Sequence, residues 1–172
     1  MEIAFSSPSL SKADSGTAPR PLLRRAGHPD LPFCRSLLVH AYGWHVNALE
    51  TELPVGRYLD GWGRAGDTGF VYTVHGHRVG AGWYRLFRSA APGWAFVDEA
   101  TPELTVAVVP SRQGQGIGEE LLRRLVAQAA ADGHTALSVS VLSGHADRAA
   151  YEREGFATLR EDGAAVTLVR PL

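Results

Sequence analysis

Residues 106 to 122 read Val106-Ala-Val-Val-Pro-Ser-Arg-Gln-Gly-Gln-Gly-Ile-Gly-Glu-Glu-Leu-Leu122, and this stretch determines the predicted fold. The apolar, β-branched run before Pro110 indicates a strand, which proline closes because it cannot donate to a sheet. Gly114, Gly116 and Gly118 permit positive φ angles in the turn that follows. A helix begins directly afterwards, so its unpaired N–H groups and positive dipole end face the turn. This order predicts a cradle for a phosphate or pyrophosphate.

Spacing separates this turn from two other nucleotide-binding turns. A P-loop requires Lys followed by Ser or Thr directly after its last glycine, whereas two glutamates follow Gly118. A Rossmann turn requires G-x-G-x-x-G, and the residue three after Gly116 is Glu119. The spacing that remains is Gln113-x-x-Gly116-x-Gly118, with Arg112 just before it. The alternative is a glycine-rich hairpin without a ligand, but the order of strand, proline, glycines and helix favours the cradle.

Composition bounds the class of protein. The chain has 172 residues, 45% hydrophobic and 20% charged, with a formal net charge of -1, which predicts one globular domain and gives no basic excess for nucleic acid. Its single cysteine, Cys34, excludes an internal disulfide and a cysteine-based metal site. His75 and His77 flank Gly76 in a predicted turn and do not indicate a metal site. Without a membrane-length apolar run or a cationic signal start, a cytoplasmic location is expected.

Periodicity divides the rest of the chain into alternating elements. Residues 1–18 are predicted to be a flexible tail, and 19–172 a single domain. The segment 43–53 is either a short helix or an ordered loop, and residues 94–99 are predicted to extend a strand. Helices are expected at 31–41, 117–132 and 146–154, and strands at 21–25, 68–75, 78–87, 103–109, 136–141, 156–160 and 164–170. Together they predict a mixed α/β sheet with helices on both faces.

A second motif makes the assignment more specific. The segment Ala149-Ala-Tyr-Glu-Arg-Glu-Gly-Phe156 follows the glycine turn, and together the two motifs resemble the GNAT superfamily of acyl-CoA-dependent N-acyltransferases. The resemblance implies an α/β fold with a mixed, mostly antiparallel sheet, a splayed central strand pair and helices on both faces. One departure concerns Gly144, which stands where the family often has an asparagine that contacts the cofactor.

The resemblance also implies a cofactor site. Acetyl-CoA would serve as co-substrate, without a metal, and its pantetheine arm would lie along Val106, Ala107 and Val108. A backbone N–H near Val108 would polarise the thioester carbonyl. The residues expected at the pyrophosphate are Arg112, Gln113, Gly114, Gln115, Gly116, Ile117 and Gly118.

Transfer to an amine requires a base for the amine and an acid for the leaving thiolate. Tyr151 matches the position of the family's general acid, and its reference pKa of about 10 suits a proton donor. Glu103, at the start of the central strand, is the leading base, acting directly or through a water. Asp98 and Glu99 are alternatives, and His145 is a weaker one that fits a helix-terminal surface position better.

The sequence does not identify the amine acceptor. Aromatic and acidic residues fall in regions that usually line the acceptor cleft: Trp44, Tyr58, Trp62, Tyr84 and Trp94, with Glu50, Glu52, Asp98 and Glu99. The implied function is acetyl transfer to a primary amine of a small molecule or peptide, by direct attack in a ternary complex. No nucleic-acid or membrane partner is expected, and a homodimer is possible. Two alternatives stay open: a non-catalytic acyl-CoA-binding regulatory module and a transferase for a longer acyl group.

Overall fold

The computed structural model describes residues 21–49 and 55–172, with the side chains of residues 44–55 outside the description. The predicted tail at 1–18, the acids Glu50 and Glu52, and the side chain of Trp44 therefore lie outside the described residues.

A single seven-stranded sheet forms the centre of the domain, in the spatial order β1-β2-β3-β4-β5-β7-β6. All neighbouring strands pair antiparallel except β4 and β5, which are parallel. The strands are β1 Leu22–Arg25, β2 Thr68–Val74, β3 His77–Arg85, β4 Glu103–Val108, β5 Ala136–Leu142, β6 Ala157–Asp162 and β7 Ala165–Pro171. The predicted mixed, mostly antiparallel sheet is confirmed.

In the described ranges, four α-helices cover the two faces of the sheet: α1 Leu31–Leu49, α2 Val55–Leu59, α3 Ile117–Ala131 and α4 Ala146–Arg153. One apolar cluster joins α3 and α4 to one face, and a second joins α1 and α2 to the other. The stripe predicted for α3 is its buried side: Ile117, Leu121, Leu122, Leu125, Val126 and Ala129. None of the helices described combines the length and the apolar character that crossing a bilayer requires.

Two stretches differ from their sequence-based predictions. Helix α1 does not end at Ala41 but continues through Gly43 to Leu49, because tertiary packing of its apolar side outweighs the low helix propensity of one glycine. Residues 94–99 form turns and irregular backbone instead of a strand. Within that stretch the Asp98 carboxylate accepts from the backbone N–H groups of Ala100 and Thr101, at 2.9 and 2.7 Å, which folds the chain into a turn.

The glycines of β3 allow α3 to approach the sheet closely. A Cβ atom at Gly82 would lie 2.7 Å from a methyl group of Leu125, and one at Gly80 would lie 3.2 Å from Ile117 and Leu121. Both values are shorter than ordinary van der Waals contact. This close packing fixes the start of α3 beside the end of β4.

A buried ion pair attaches α2 to β3. Arg85 and Asp67 are each 1% exposed, and the guanidinium donates to both Asp67 oxygens, at 2.9 and 2.7 Å. Its remaining nitrogen donates to the carbonyl oxygens of Arg57 and Asp60 at the end of α2, at 3.2 and 2.9 Å. Because a buried guanidinium must satisfy its donors, this contact holds α2 in one position on the sheet.

We expect Asp67→Ala to lower the free energy of unfolding by about 3–5 kcal/mol, because it leaves the buried Arg85 charge uncompensated. A matched control is Asp60→Ala, which removes an exposed 2.9 Å pair with Arg35 and should cost less than about 1 kcal/mol. Urea unfolding at neutral pH measures both values. Equal losses in the two variants would contradict the assigned role of the buried pair.

Candidate active site

The site begins where two central strands separate. β4 and β5 share one backbone pair, Glu103 with Ser138, where the Ser138 N–H donates to Pro102 at 3.0 Å. On its other edge β4 pairs with β3, and the Val109 N–H donates to Val79 at 2.9 Å. Because peptide groups alternate in direction along a strand, those of Leu104, Val106 and Val108 face the gap. The splayed central pair predicted from the sequence is thus present. Across the gap these peptide groups have no strand partner, and side chains supply donors to two of the carbonyls: the Tyr42 hydroxyl to Leu104 at 3.5 Å and Gln113 Nε2 to Val108 at 3.3 Å.

A cavity of about 550 Å³ extends from this gap along the β4–α3 turn to α4. Nine of the ten predicted cofactor residues line it: Val106, Ala107, Val108, Arg112, Gln113, Gly114, Gly116, Ile117 and Gly118. Gln115 is not among the lining residues. Cofactor binding by these residues remains a prediction, but the structure brings the nine together on one wall.

The turn has the backbone geometry of the predicted cradle, with one exception. Gly114 and Gly116 have φ values of 73° and 79°, in the left-handed region that favours glycine. Gly116 is the N-cap of α3, and no side chain caps the helix there. The expectation of a positive φ at Gly118 is wrong, because this residue already lies inside the first turn of α3. The helix N-terminus therefore begins one residue after the second glycine.

Charges at the cradle suit an anion. Arg112 and Arg153 line the larger cavity together with two acids, Glu119 and Asp147. The Glu119 carboxylate is paired with Arg153 at 2.7 Å and approached by Arg123 at 3.8 Å. Arg123 and Arg153 offset Glu119, and Asp147 lies at the junction with the smaller cavity, so the helix dipole and Arg112 attract phosphate oxygens at the turn.

A second cavity of about 230 Å³ lies in the gap between β4, β5 and α1. Five residues line both cavities, and these mark their junction: His40, Val106, His145, Asp147 and Tyr151. The two cavities therefore form a continuous cleft through the splayed strands. A molecule held in the larger cavity can meet one in the smaller cavity beside Val106 and Tyr151.

Tyr151 lies at this junction, on α4. It is 9% exposed, and its ring packs edge-on against Phe156 with centroids 5.6 Å apart. Burial, and then the negative charge of Asp147, raise the pKa of the phenol well above its usual value. The hydroxyl is thus protonated at neutral pH, as the predicted acid must be.

Glu103 is more deeply buried than a strand-end carboxylate is expected to be. It is 1% exposed and lines neither cavity, although its strand does. Its Oε1 accepts a 2.5 Å hydrogen bond from the Tyr58 hydroxyl, and the Ala95 backbone N–H also favours the ionised carboxylate. Burial raises the pKa of Glu103 to about 7, against the opposing effect of the Tyr58 bond. Its pKa suits a base, but a proton cannot reach it directly.

The other candidate bases are placed differently. Asp98 and Glu99 line neither cavity and hold loops: Asp98 in the turn described above, and Glu99 by accepting from the Ser89 N–H at 2.9 Å. Hydrogen bonds to Thr101 and Ala100 lower the pKa of Asp98. His145 lies at the junction, where its Nδ1 accepts from the Asp147 N–H at 3.2 Å and caps α4. In the described part of the chain no cluster of three or more His, Cys, Asp or Glu could hold a metal.

The predicted aromatic residues separate into three places. Tyr58 and Trp94 pack together near Glu103, with centroids 6.0 Å apart. Trp62 lies under the Arg85 guanidinium, 5.7 Å from its carbon. Tyr84 belongs to the α3 face, where its hydroxyl donates to Asp132 at 2.5 Å, so it does not wall the acceptor side.

Two residues of the cleft carry no sequence signal of function. His40 lines both cavities, and Tyr42 lines the smaller one. Both lie on α1, where Tyr42 continues the apolar spacing from Leu38 and so has the pattern of an ordinary core residue. Only the approach of α1 to β4 in three dimensions shows that they face the gap.

Comparisons with known proteins agree with this geometry. Residues 31–156 match the model of the acetyltransferase (GNAT) family. A ribosomal-protein-alanine N-acetyltransferase from Brucella melitensis is 25% identical, with 88% of this chain and 99% of that chain covered and a TM-score of 0.65. The protein yncA from Salmonella typhimurium, solved with its cofactor acetyl-CoA, is 21% identical, with 88% and 94% covered and a TM-score of 0.68.

A GNAT family acetyltransferase from Elizabethkingia anophelis with acetyl-CoA bound is 17% identical, with 88% and 98% covered and a TM-score of 0.62. No curated protein matches the sequence. The family match spans most of the described domain and includes both the glycine turn and the Tyr151 segment. This chain therefore belongs to the GNAT acetyltransferase family.

Proposed function

We propose that this protein is a cytoplasmic N-acetyltransferase that moves the acetyl group of acetyl-CoA to a primary amine by direct attack in a ternary complex. The observation that carries the proposal is the meeting of the two cavities beside Val106 and Tyr151. A transferase of this kind needs separate entrances for donor and acceptor and one point of contact between them. The continuous cleft between β4 and β5 provides both.

The larger cavity fits a coenzyme A thioester by its chemistry. The peptide group of Val106 and the N–H of Val108 offer hydrogen bonds to an extended pantetheine arm, as a neighbouring strand would, while the Val108 carbonyl accepts from Gln113 Nε2 at 3.3 Å. The amides at the start of α3, with Arg112, suit a diphosphate. The same strand-edge N–H groups can polarise a thioester carbonyl, and fixed donors of this kind contribute about 3 kcal/mol in other acyl transfers.

The chain supplies both proton transfers. As the amine nitrogen bonds to the acetyl carbon, its proton passes towards Glu103, which is ionised above a pKa of about 7. When the carbon–sulfur bond breaks, the sulfur takes the Tyr151 proton. Solvent then reprotonates Tyr151 and deprotonates Glu103, so no net proton is gained by the protein.

The burial of Glu103 favours one rival, a GNAT-fold module that binds acyl-CoA without transferring the acyl group. A thiol-release screen over amino acids, polyamines, aminoglycosides and peptide N-termini separates the two. Peptide N-termini are included because the Brucella melitensis relative is a ribosomal-protein-alanine N-acetyltransferase. Amine-dependent release supports the transferase, whereas tight acetyl-CoA binding without release from any amine supports the module. Comparing the melting shifts with acetyl-, propionyl- and succinyl-CoA tests the preference for the acyl chain.

Gly116→Ala should weaken acetyl-CoA binding at least about tenfold, or roughly 1.4 kcal/mol, because strain at a φ of 79° displaces the cradle amides. Gly133→Ala is the matched control: this glycine has a φ of 84° just beyond the other end of α3, and it does not line the cavity. Both variants should lose similar stability, about 1–3 kcal/mol. Calorimetric titration with acetyl-CoA measures the binding, and equal affinities in the two variants would count against the cradle.

Tyr151→Phe should lower kcat by about 10²–10⁴-fold while leaving acetyl-CoA affinity nearly unchanged, since it removes the proton donor and keeps the ring on Phe156. Stopped-flow thiol release gives kcat, and calorimetry gives the affinity. A variant with normal turnover would show that another group protonates the thiolate.

A further inference from the structure

Glu103, the leading candidate for the base, is enclosed by aromatic rings. Tyr58 packs on Tyr42 with centroids 4.7 Å apart, and on Phe87 at 5.2 Å. Trp94 lies 5.0 Å from Tyr42 and covers the same side. Since Glu103 lines neither cavity, an amine in the smaller cavity cannot touch it. Any transfer to Glu103 must pass through a side chain or a water.

The Tyr58 hydroxyl has partners that fix the direction of its proton. It donates to Glu103 Oε1 at 2.5 Å, and its oxygen accepts from the Trp94 N–H at 3.0 Å. A phenol has one donor and two acceptor positions, so one acceptor position remains. The Tyr42 hydroxyl lies beside it. Because the Tyr58 proton is directed at Glu103, a hydrogen bond between the two phenols must run from Tyr42 to Tyr58, in place of the 3.5 Å bond from the Tyr42 hydroxyl to the Leu104 carbonyl.

Tyr42 connects this pair of phenols to the cleft. It lines the smaller cavity, and its hydroxyl is 2.7 Å from Thr105 Oγ1, on the strand that borders the gap. Burial raises the pKa of both phenols well above the usual value, and for both the charge of Glu103 adds to this effect. Both hydroxyls are therefore protonated at neutral pH and can pass a proton on without accumulating charge.

We propose that Tyr42 and Tyr58 form a proton relay from an amine in the smaller cavity to Glu103. The relay rests on the transferase function proposed above. In one concerted shift the amine gives a proton to Tyr42, Tyr42 gives its own to Tyr58, and Tyr58 gives its own to Glu103 Oε1. The shift accompanies the attack: the nitrogen lone pair bonds to the acetyl carbon, and the electron pair of the broken N–H bond stays on the nitrogen. Tyr58 acts through Glu103 and is a positioning residue.

The position of Tyr58 is set by the ion pair that holds α2. Arg85 donates to the carbonyl oxygens of Arg57 and Asp60, on either side of Tyr58 and Leu59. Arg85 is also the cross-strand partner of Glu103. Both ends of the 2.5 Å bond therefore belong to one rigid unit, as a proton transfer over a fixed distance requires.

The experiment compares pH profiles of kcat/KM for Tyr58→Phe and Tyr42→Phe with the wild type. The wild-type rate should rise with pH through about 7 as Glu103 ionises. Tyr58→Phe removes a hydrogen bond that favours the ionised carboxylate, so the rising limb of the pH profile should move to higher pH by about one unit. The maximal kcat/KM should fall at least about tenfold. Tyr42→Phe leaves that bond in place and should lower the maximum without moving the limb.

The other groups that lower the Glu103 pKa are unchanged in both variants: the Ala95 backbone N–H, Arg57 on α2 and Arg160 on β6. Arg85, its cross-strand neighbour on β3, is unchanged as well. The matched control is Tyr84→Phe, which removes an equally short bond from a buried tyrosine to a carboxylate, Asp132, on the opposite face. It should leave both the maximum and the limb as in the wild type. An acetyl-CoA melting shift in each variant establishes that it is folded.

Infrared spectroscopy can titrate the Glu103 carboxyl without any enzymatic turnover. The Glu103 band is identified as the one that disappears in Glu103→Gln. The Glu103 pKa should rise in Tyr58→Phe and stay constant in Tyr42→Phe. Wild-type maximal rates in either variant would overturn the relay even if thiol release proves the transferase. Absence of thiol release from the wild type, with the infrared shift present, would instead reject the transferase function and with it the relay.

Discussion

The gap between β4 and β5 is the constraint on which the rest of the site depends. Two parallel strands in the middle of a sheet normally share a continuous ladder, but here the ladder stops after Glu103 and Ser138. Peptide groups that would pair with a neighbour are left facing a cleft, in a place where unpaired groups are costly. Close packing of α3 on Gly80 and Gly82 fixes β4 from one face, and α1 contacts it from the other. The sheet is thus held open by its own helices.

Two tyrosine–carboxylate bonds of equal length show how strongly surroundings control acidity in this molecule. Tyr84 donates to Asp132 and Tyr58 donates to Glu103, each at 2.5 Å. The pKa of Asp132, an exposed residue, is lowered chiefly by that bond, whereas the pKa of Glu103 is raised because burial outweighs the same kind of bond. Desolvation, and not the hydrogen bond, decides which carboxyl can exchange a proton near neutral pH.

The sequence predicted the structure correctly where the local backbone conformation depends on the type of residue. Gly114 and Gly116 indicate positive φ angles in the turn. The apolar stripe of α3 indicates which side of the helix is buried, and alternation along β4 predicts which side chains share a face. The prediction for Gly118 was wrong because this glycine was assigned the same positive φ as Gly114 and Gly116, whereas α3 has already begun at that position. Residues 94–99 misled because aromatic and β-branched residues favour strands, while the Asp98 side chain turns the chain.

The burial of individual side chains, and contacts between residues far apart in the chain, could not be predicted from residue type or periodicity. Alternation gives the face on which Glu103 lies, but its distance from the cleft depends on α2, which Arg85 holds to the sheet through the carbonyl oxygens of Arg57 and Asp60. Tyr42 has the spacing of a core residue, and only its approach to Thr105 reveals that it borders the gap. A site formed by a helix and a strand that are far apart in the sequence produces no periodic pattern from which it could be predicted.

The contact between Gly93 and Glu103 has a consequence for how this site can change. A Cβ atom at position 93 would lie 1.9 Å from Glu103 Oε2, inside the space of the carboxylate itself. A side chain at position 93 therefore requires the Glu103 carboxylate to move from its place beside Tyr58 or to become shorter. The glycine at 93 thus keeps room for the acid, and a larger residue there should accompany a displaced or shorter acid at position 103 in related proteins.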